Sequence, residues 1–243
     1  DLWLTDLNLT EIGIMKHTQH EAESDQFTKD MEIFGQIKDG RERTGILAYR
    51  KEMWKTGEGM KRRLVLKLFS EGMHWRGTAE LLMGRSLQLS IGAKGTPVPS
   101  YSVNISRHDQ IIQLERSAQK WPLFPEKFSF FIDTTKGPRF YRLRRNVIGI
   151  GADYSLYDDR GRKIGKLDHR IINLGGSWIV KVDAAESYAK LEAVLQMFCA
   201  LLKFNGAARR HVAKEVEQLH LGRAVRQLDT QERNLYLNPR RRR

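Results

Sequence analysis

The apolar positions change period twice along this chain. Between Lys61 and Val182 they come in short runs broken by turn residues, from Asp183 to Phe204 they are nearly continuous, and from Ala207 to Leu228 they thin to one stripe. The first texture is that of strands. KRRLVLKLF (61–69) reads as a strand, with EGMHWRGTAELLM after a Glu-Gly turn. RSLQLSIG (85–92) sets Leu87, Leu89 and Ile91 against Ser86, Gln88 and Ser90, which predicts a half-buried strand. YSVNISRHDQIIQL supplies two further short extended runs, and a Phe-rich strand sits between the prolines at 125 and 138. FYRLRRNVIGI, ADYSLYDDRGRKIGKLD, HRIINL and GSWIVKV read as successive strands, with a tight hairpin turn at Asp158-Asp159-Arg160-Gly161. Many short strands at this spacing predict a β-sandwich or barrel rather than βαβ units. Residues 1–60 are mixed and locally acidic, and are read as an N-terminal extension of uncertain structure. Thr44 to Trp54 suits strand and helix equally.

The continuous stretch predicts a helix. Asp183 suits an N-cap with Glu186 three residues later, and Asn205-Gly206 suits a stop. Between Lys190 and Lys203 only Glu192 and Gln196 are polar, and they are four apart, so they form one narrow line. A helix of that kind is buried on nearly every side. It falls short of the roughly 18–20 apolar residues that cross a bilayer, so a membrane role is expected to be peripheral. A second helix is expected from Ala207 to Leu228, with Val212, Val216, Leu219 and Leu228 on its stripe and basic residues mostly off it. That helix, 207–228, is a candidate docking element for the domain, a protein partner or a membrane surface. The organisation read from sequence is thus an extension at 1–60, a β domain at 61–206 with its helix at 184–204, and a basic helix and tail at 207–243.

YSLYDDRGRKIGKLDHRIINLGGSWIVKV resembles the strand–turn–strand unit of the LURP-one-related and phospholipid-scramblase members of the tubby-like fold. The matching residues are Asp158, Asp159, Gly161, Ile164, Gly165, Trp178, Ile179 and Val180. The resemblance covers roughly residues 139–204. It implies an α+β fold, mostly antiparallel β, in which a closed β-barrel surrounds the hydrophobic helix, here with an extra C-terminal amphipathic helix. It also implies an intracellular lipid-binding, phosphoinositide-type protein associated with membranes. The basic helix and Arg tail extend past the point where the central helix ends such domains, and no phosphoinositide-binding motif of the family can be matched residue by residue.

Charge sharpens this expectation. Of a net +13, residues 1–121 carry 18 Lys+Arg against 16 Asp+Glu, and residues 122–243 carry 24 against 13. A basic half points to a polyanionic partner. The clusters are Lys61, Arg62 and Arg63; Arg142, Arg144 and Arg145, interleaved with Phe140 and Tyr141; and Arg160, Arg162, Lys163 and Lys166. These are the candidate lipid or anion ligands. Arg209, Arg210, Arg240, Arg241, Arg242 and Arg243 form a candidate polyanion-binding tail.

Catalytic patterns are sparse. His17 and His20 lack further metal ligands and read as a surface pair. Adjacent Asp168 and His169 on a strand point to opposite faces, and His211 with Glu215 reads as a surface i,i+4 pair. The single Cys199 sits in the apolar helix as a small hydrophobe, and a disulfide within the chain is impossible. The glycine-rich segments at 57–61, 92–96 and 149–151 fit no phosphate or dinucleotide fingerprint and read as turns. The acidic start lacks a signal-peptide pattern. The expectation is a non-enzymatic, cofactor-free protein, cytoplasmic or peripherally bound to membranes, that recognises anionic phospholipid. Its alternative is nucleic-acid binding or assembly into a ribonucleoprotein or other complex.

Overall fold

The computed structural model describes residues 1–3, 25–28, 30–118, 125–147, 153–170 and 176–223. Among these residues, eleven strands form one antiparallel sheet whose spatial order is the chain order. They are β1 (Met31–Asp39), β2 (Glu42–Arg50), β3 (Val65–Ser70), β4 (Trp75–Leu81), β5 (Ser100–Ile105) and β6 (Ile111–Arg116). They continue with β7 (Lys127–Thr134), β8 (Gly137–Arg145), β9 (Tyr154–Tyr157), β10 (Lys163–Arg170) and β11 (Ser177–Val182). The helices are α1 (Lys51–Lys55), α2 (Met83–Gly92) and α3 (Ala189–His220). The α+β class therefore holds, and the sheet starts at Met31 rather than at position 61.

One helix touches both ends of this sheet. The Phe204 ring of α3 meets Phe34 of β1 at 5.3 Å and Tyr49 of β2 at 5.2 Å. The Phe198 ring, less than two turns away, meets Phe128 of β7 at 5.0 Å and Tyr154 of β9 at 5.1 Å. Flat strands at about 4.8 Å spacing would put β1 and β9 almost 40 Å apart, far beyond the reach of a helix about 10–12 Å across. The sheet must curl around α3. The expected closed barrel is nevertheless corrected to an open sheet, because β1 and β11 share no ladder among the described residues. Residues 1–3 lie against both edges: Trp3 donates its amide to the Phe34 carbonyl at 2.6 Å, and Leu2 donates to the Gly176 carbonyl at 2.8 Å.

Two element boundaries depart from the sequence reading. The helix expected to stop at Asn205-Gly206 runs on, so one 32-residue helix replaces two. Glycine in a helix interior costs only about 1 kcal/mol, and burial of Ala208, Val212 and Val216 just beyond it offsets that. The cap also moves. Asp183 and Glu186 form a turn closed by the Glu186 amide on the Asp183 carbonyl at 2.8 Å, and Tyr188 is the N-cap. By length and composition α3 is able to cross a membrane, yet 61% of its most apolar window is already buried by the protein.

The second departure is RSLQLSIG, expected as a strand and found in α2. Its buried positions are Met83, Ser86, Leu87 and Ser90, a helical i, i+3, i+4, i+7 set. The two serines are buried because they have partners. Ser86 Oγ accepts the Ser100 amide at 2.9 Å, and Ser90 Oγ accepts the Val98 amide at 2.9 Å while donating to the Ser86 carbonyl at 2.6 Å. Of HRIINL, His169 and Arg170 end β10, and 171–175 lie outside the described residues.

Candidate functional site

Strand register decides which basic side chains share a face. On β7, Phe128, Phe130 and Ile132 are buried inward, so Lys127, Ser129 and Phe131 point outward. On β8, Tyr141 and Leu143 are buried, which sends Phe140, Arg142 and Arg144 outward. Pairing then aligns them. Lys127 faces Arg144, Arg144 faces Ser155, Ser155 faces Lys166, and Lys166 faces Lys181. This row crosses β7 to β11, about 19 Å at ordinary strand spacing. A second row holds Ser129, Arg142, Tyr157 and Lys163. Next to it Phe131, 57% exposed, pairs with Phe140 at 4.9 Å between ring centroids, and the Arg142 guanidinium lies 5.4 Å from the Phe140 ring.

The face keeps most of its charge uncompensated. Lys166 donates to the Asp168 carboxylate, and that hydrogen bond raises the lysine's pKa. Lys127, Arg142, Arg144, Lys163 and Lys181 have no ion pair among the described residues. Ser155, though outward, is covered, donating to Asn146 Oδ1 at 3.0 Å.

The β9–β10 hairpin beside this face is rigidly built. Gly161 takes φ 76°, which a side chain would resist. Asp158 Oδ1 accepts the amides of Arg160 and Arg162 at 3.0 and 2.8 Å, and Oδ2 accepts Arg162 Nε at 2.7 Å. Burial pushes the Asp158 carboxyl up, but these bonds outweigh it and hold it below the ordinary value. Arg162 also reaches Glu186 at 3.3 Å, and Arg139 of β8 binds the other oxygen of Glu186 at 2.5 Å. Glu186 thus ties two hairpins to the approach of α3 instead of capping it. Arg160 is left exposed at the tip.

Of the sequence candidates, Arg142, Arg144, Lys163 and Lys166 come together on this face. Lys127 and Lys181 join them; neither sits in a basic run, so only long-range register reveals them. The others go elsewhere. Arg62 stacks 4.3 Å over Trp54 and donates to its carbonyl, Arg63 pairs with Glu80, and Lys61 ends the turn before β3. Arg145 points to the opposite side of β8 from Arg144 and lines a cavity with Tyr154. Arg210 is exposed on α3, while Arg209 is half-buried near Arg116 and Glu126. Arg240, Arg241, Arg242 and Arg243 lie outside the described residues, as do His17 and His20.

Cys199 is buried, and burial pushes its thiol up. His211 and Glu215, expected on a surface, have side chains only 3% and 4% exposed and lie 3.8 Å apart. No group of three or more metal-ligating side chains is found among the described residues. Comparison with protein families, curated proteins and solved structures finds no match to this chain.

Proposed function

We propose that this protein is a non-enzymatic reader of anionic phospholipid surfaces, and that the outer face of β7 to β11 is its contact. The observation that supports this most is the register row of Lys127, Arg144, Lys166 and Lys181 beside Arg142 and Lys163. A basic side chain near an anionic membrane contributes about 1 kcal/mol, so five uncompensated cations on one face suffice for reversible attachment. The exposed Phe131–Phe140 pair supplies an apolar contact at the lipid boundary. We read the architecture as tubby-like, a sheet curled around a hydrophobic helix. The protein would act from the cytoplasm as a peripheral membrane component.

Co-sedimentation with vesicles tests this. Full-length protein is expected to pellet with phosphatidylserine-containing vesicles at low salt and to stay in solution with phosphatidylcholine alone. Arg142→Glu with Arg144→Glu should abolish pelleting. Equal recovery with both vesicle types would overturn the proposal. Nucleic acid is the second reading, favoured by the exposed aromatic pair, because bases stack on such rings. It requires tight single-strand binding that falls steeply with salt, with no preference for acidic vesicles.

A further inference from the structure

A cavity of about 290 Å³ opens beside α3, on the opposite side of the sheet from the basic face. Leu2, Tyr154, Trp178 and Leu202 give it apolar walls. Its polar lining is Glu126, Arg145, His169, Lys203 and Asn205. The volume sits just below the range of about 300–1,000 Å³ that suits drug-sized ligands, which selects a small occupant.

Charge selects the sign of that occupant. Glu126 is the carboxylate among the described lining residues, and it is already engaged. It forms a buried ion pair with Arg116, accepts Tyr154 Oη at 2.7 Å and accepts Asn205 Nδ2 at 3.3 Å. Burial pushes its pKa up, but Arg116 and these hydrogen bonds hold it low, so it stays ionised. Asp153 accepts the backbone amide of His169 at 2.8 Å. Against these stand Arg116, Arg145 and the half-buried Arg209, so cations are in excess among the described residues. Lys203 donates to the Trp3 carbonyl at 2.5 Å, and the Arg145 guanidinium has no ion pair among the described residues. Nδ1 of His169 is buried without a hydrogen-bond partner among the described residues. Unmet polar atoms of that kind are rare in folded proteins and call for a partner.

Shape selects the body of the ligand. Trp178 lies 6.4 Å from Tyr154 and 4.7 Å from His169 between ring centroids, and all three rings line the cavity. We propose that this cavity binds a small aromatic oxyanion, its ring against Trp178 and Tyr154 and its carboxylate or phosphate on Arg145 and His169. A guanidinium fork suits either group, since both accept two parallel N–H bonds.

Calorimetric titration of the full chain with benzoate, phenyl phosphate, inorganic phosphate and benzamide decides it. Benzoate or phenyl phosphate should bind, with benzamide and inorganic phosphate at least about tenfold weaker, because each lacks one half of the recognition. Arg145→Gln, on an exposed side chain, should weaken binding about tenfold without altering the circular dichroism spectrum, and His169→Gln should weaken it too. No heat with either aromatic anion at millimolar concentration would overturn the proposal, as would unchanged affinity in both variants. Inorganic phosphate binding as tightly as phenyl phosphate would overturn the aromatic part. Arg142→Glu with Arg144→Glu should keep benzoate affinity while losing vesicles, so the two sites fail separately.

Discussion

The two halves of α3 share one backbone and face different surroundings. Upstream of Asn205, buried residues cover all but the narrow line of Glu192, Gln196 and Lys203: Leu191, Ala193, Leu195, Met197, Cys199 and Ala200 are among them. Downstream, Ala208, His211, Val212, Glu215 and Val216 form one i, i+3, i+4, i+7, i+8 stripe. The upstream half is enclosed by the sheet, and the downstream half rests on one surface formed partly by Trp54, whose ring lies 6.0 Å from His211. The change in sequence texture at Asn205-Gly206 therefore marks a change of environment along a helix, and no break in the helix itself. The downstream stripe also tolerates what the enclosed half excludes, a buried imidazole beside a buried carboxylate.

This contrast can be broken most forcefully in the enclosed half. Phe198→Ala is expected to cost about 3–5 kcal/mol in urea unfolding, as for other buried aromatics. Val216→Ala should cost clearly less, because its stripe has an open side to relax into. Equal losses would mean both halves are equally enclosed.

The next effect is in pH. Burial, followed by the nearby charge of Arg62, pulls His211 from 6.5 down to about 4. A neutral folded imidazole gives full stability above pH 6.5, and that stability is lost as pH falls from 6.5 toward 4. Glu215 runs the other way. Burial raises its pKa above 4.5, so its contribution is present below that pH and lost as pH rises through the raised value. Thermal unfolding between pH 7 and 5 should show His211→Gln resisting acid better than the parent protein and Glu215→Gln resisting it less. Parallel curves for all three would return the pair to the solvent-exposed role read from sequence.

The smallest effect lies at the junction. Gly206 is exposed and helical, and a Cβ there would meet only the Arg210 Nη1 atom, at 3.7 Å. Gly206→Ala should therefore stabilise the protein by about 0.5–1 kcal/mol in urea unfolding. Destabilisation would mean the helix needs a flexible seam at that point.

Local features were legible from sequence where one residue type sets the geometry. Asp158 and Gly161 announced their hairpin, and the apolar run around Cys199 announced a buried helix. Features set by distant partners were not. Ser86 and Ser90 looked like a polar face because nothing local shows that the amides of Ser100 and Val98 wait for them. Alternating leucines in a short window fit a strand as well as a helix whose stripe includes serines. The candidate face was half legible. Runs such as RLRR and GRK drew attention to Arg142, Arg144 and Lys163, but Lys127 and Lys181 are solitary and acquire meaning only through pairing. Arg145 looked equivalent to Arg144, yet strand alternation sends it to the other side.

The order in which the parts are made carries a last consequence. Each strand pairs with the strand synthesised just before it, so every hairpin can form as soon as its second strand emerges. The helix that fills the curled sheet comes after all eleven. Until its aromatic rings arrive, the inner surface of the sheet has nothing to close upon. Ribosome-bound chains stopped before Ala189 should thus expose a broad greasy surface, which makes the helper proteins that shield nascent chains natural companions of this molecule during synthesis.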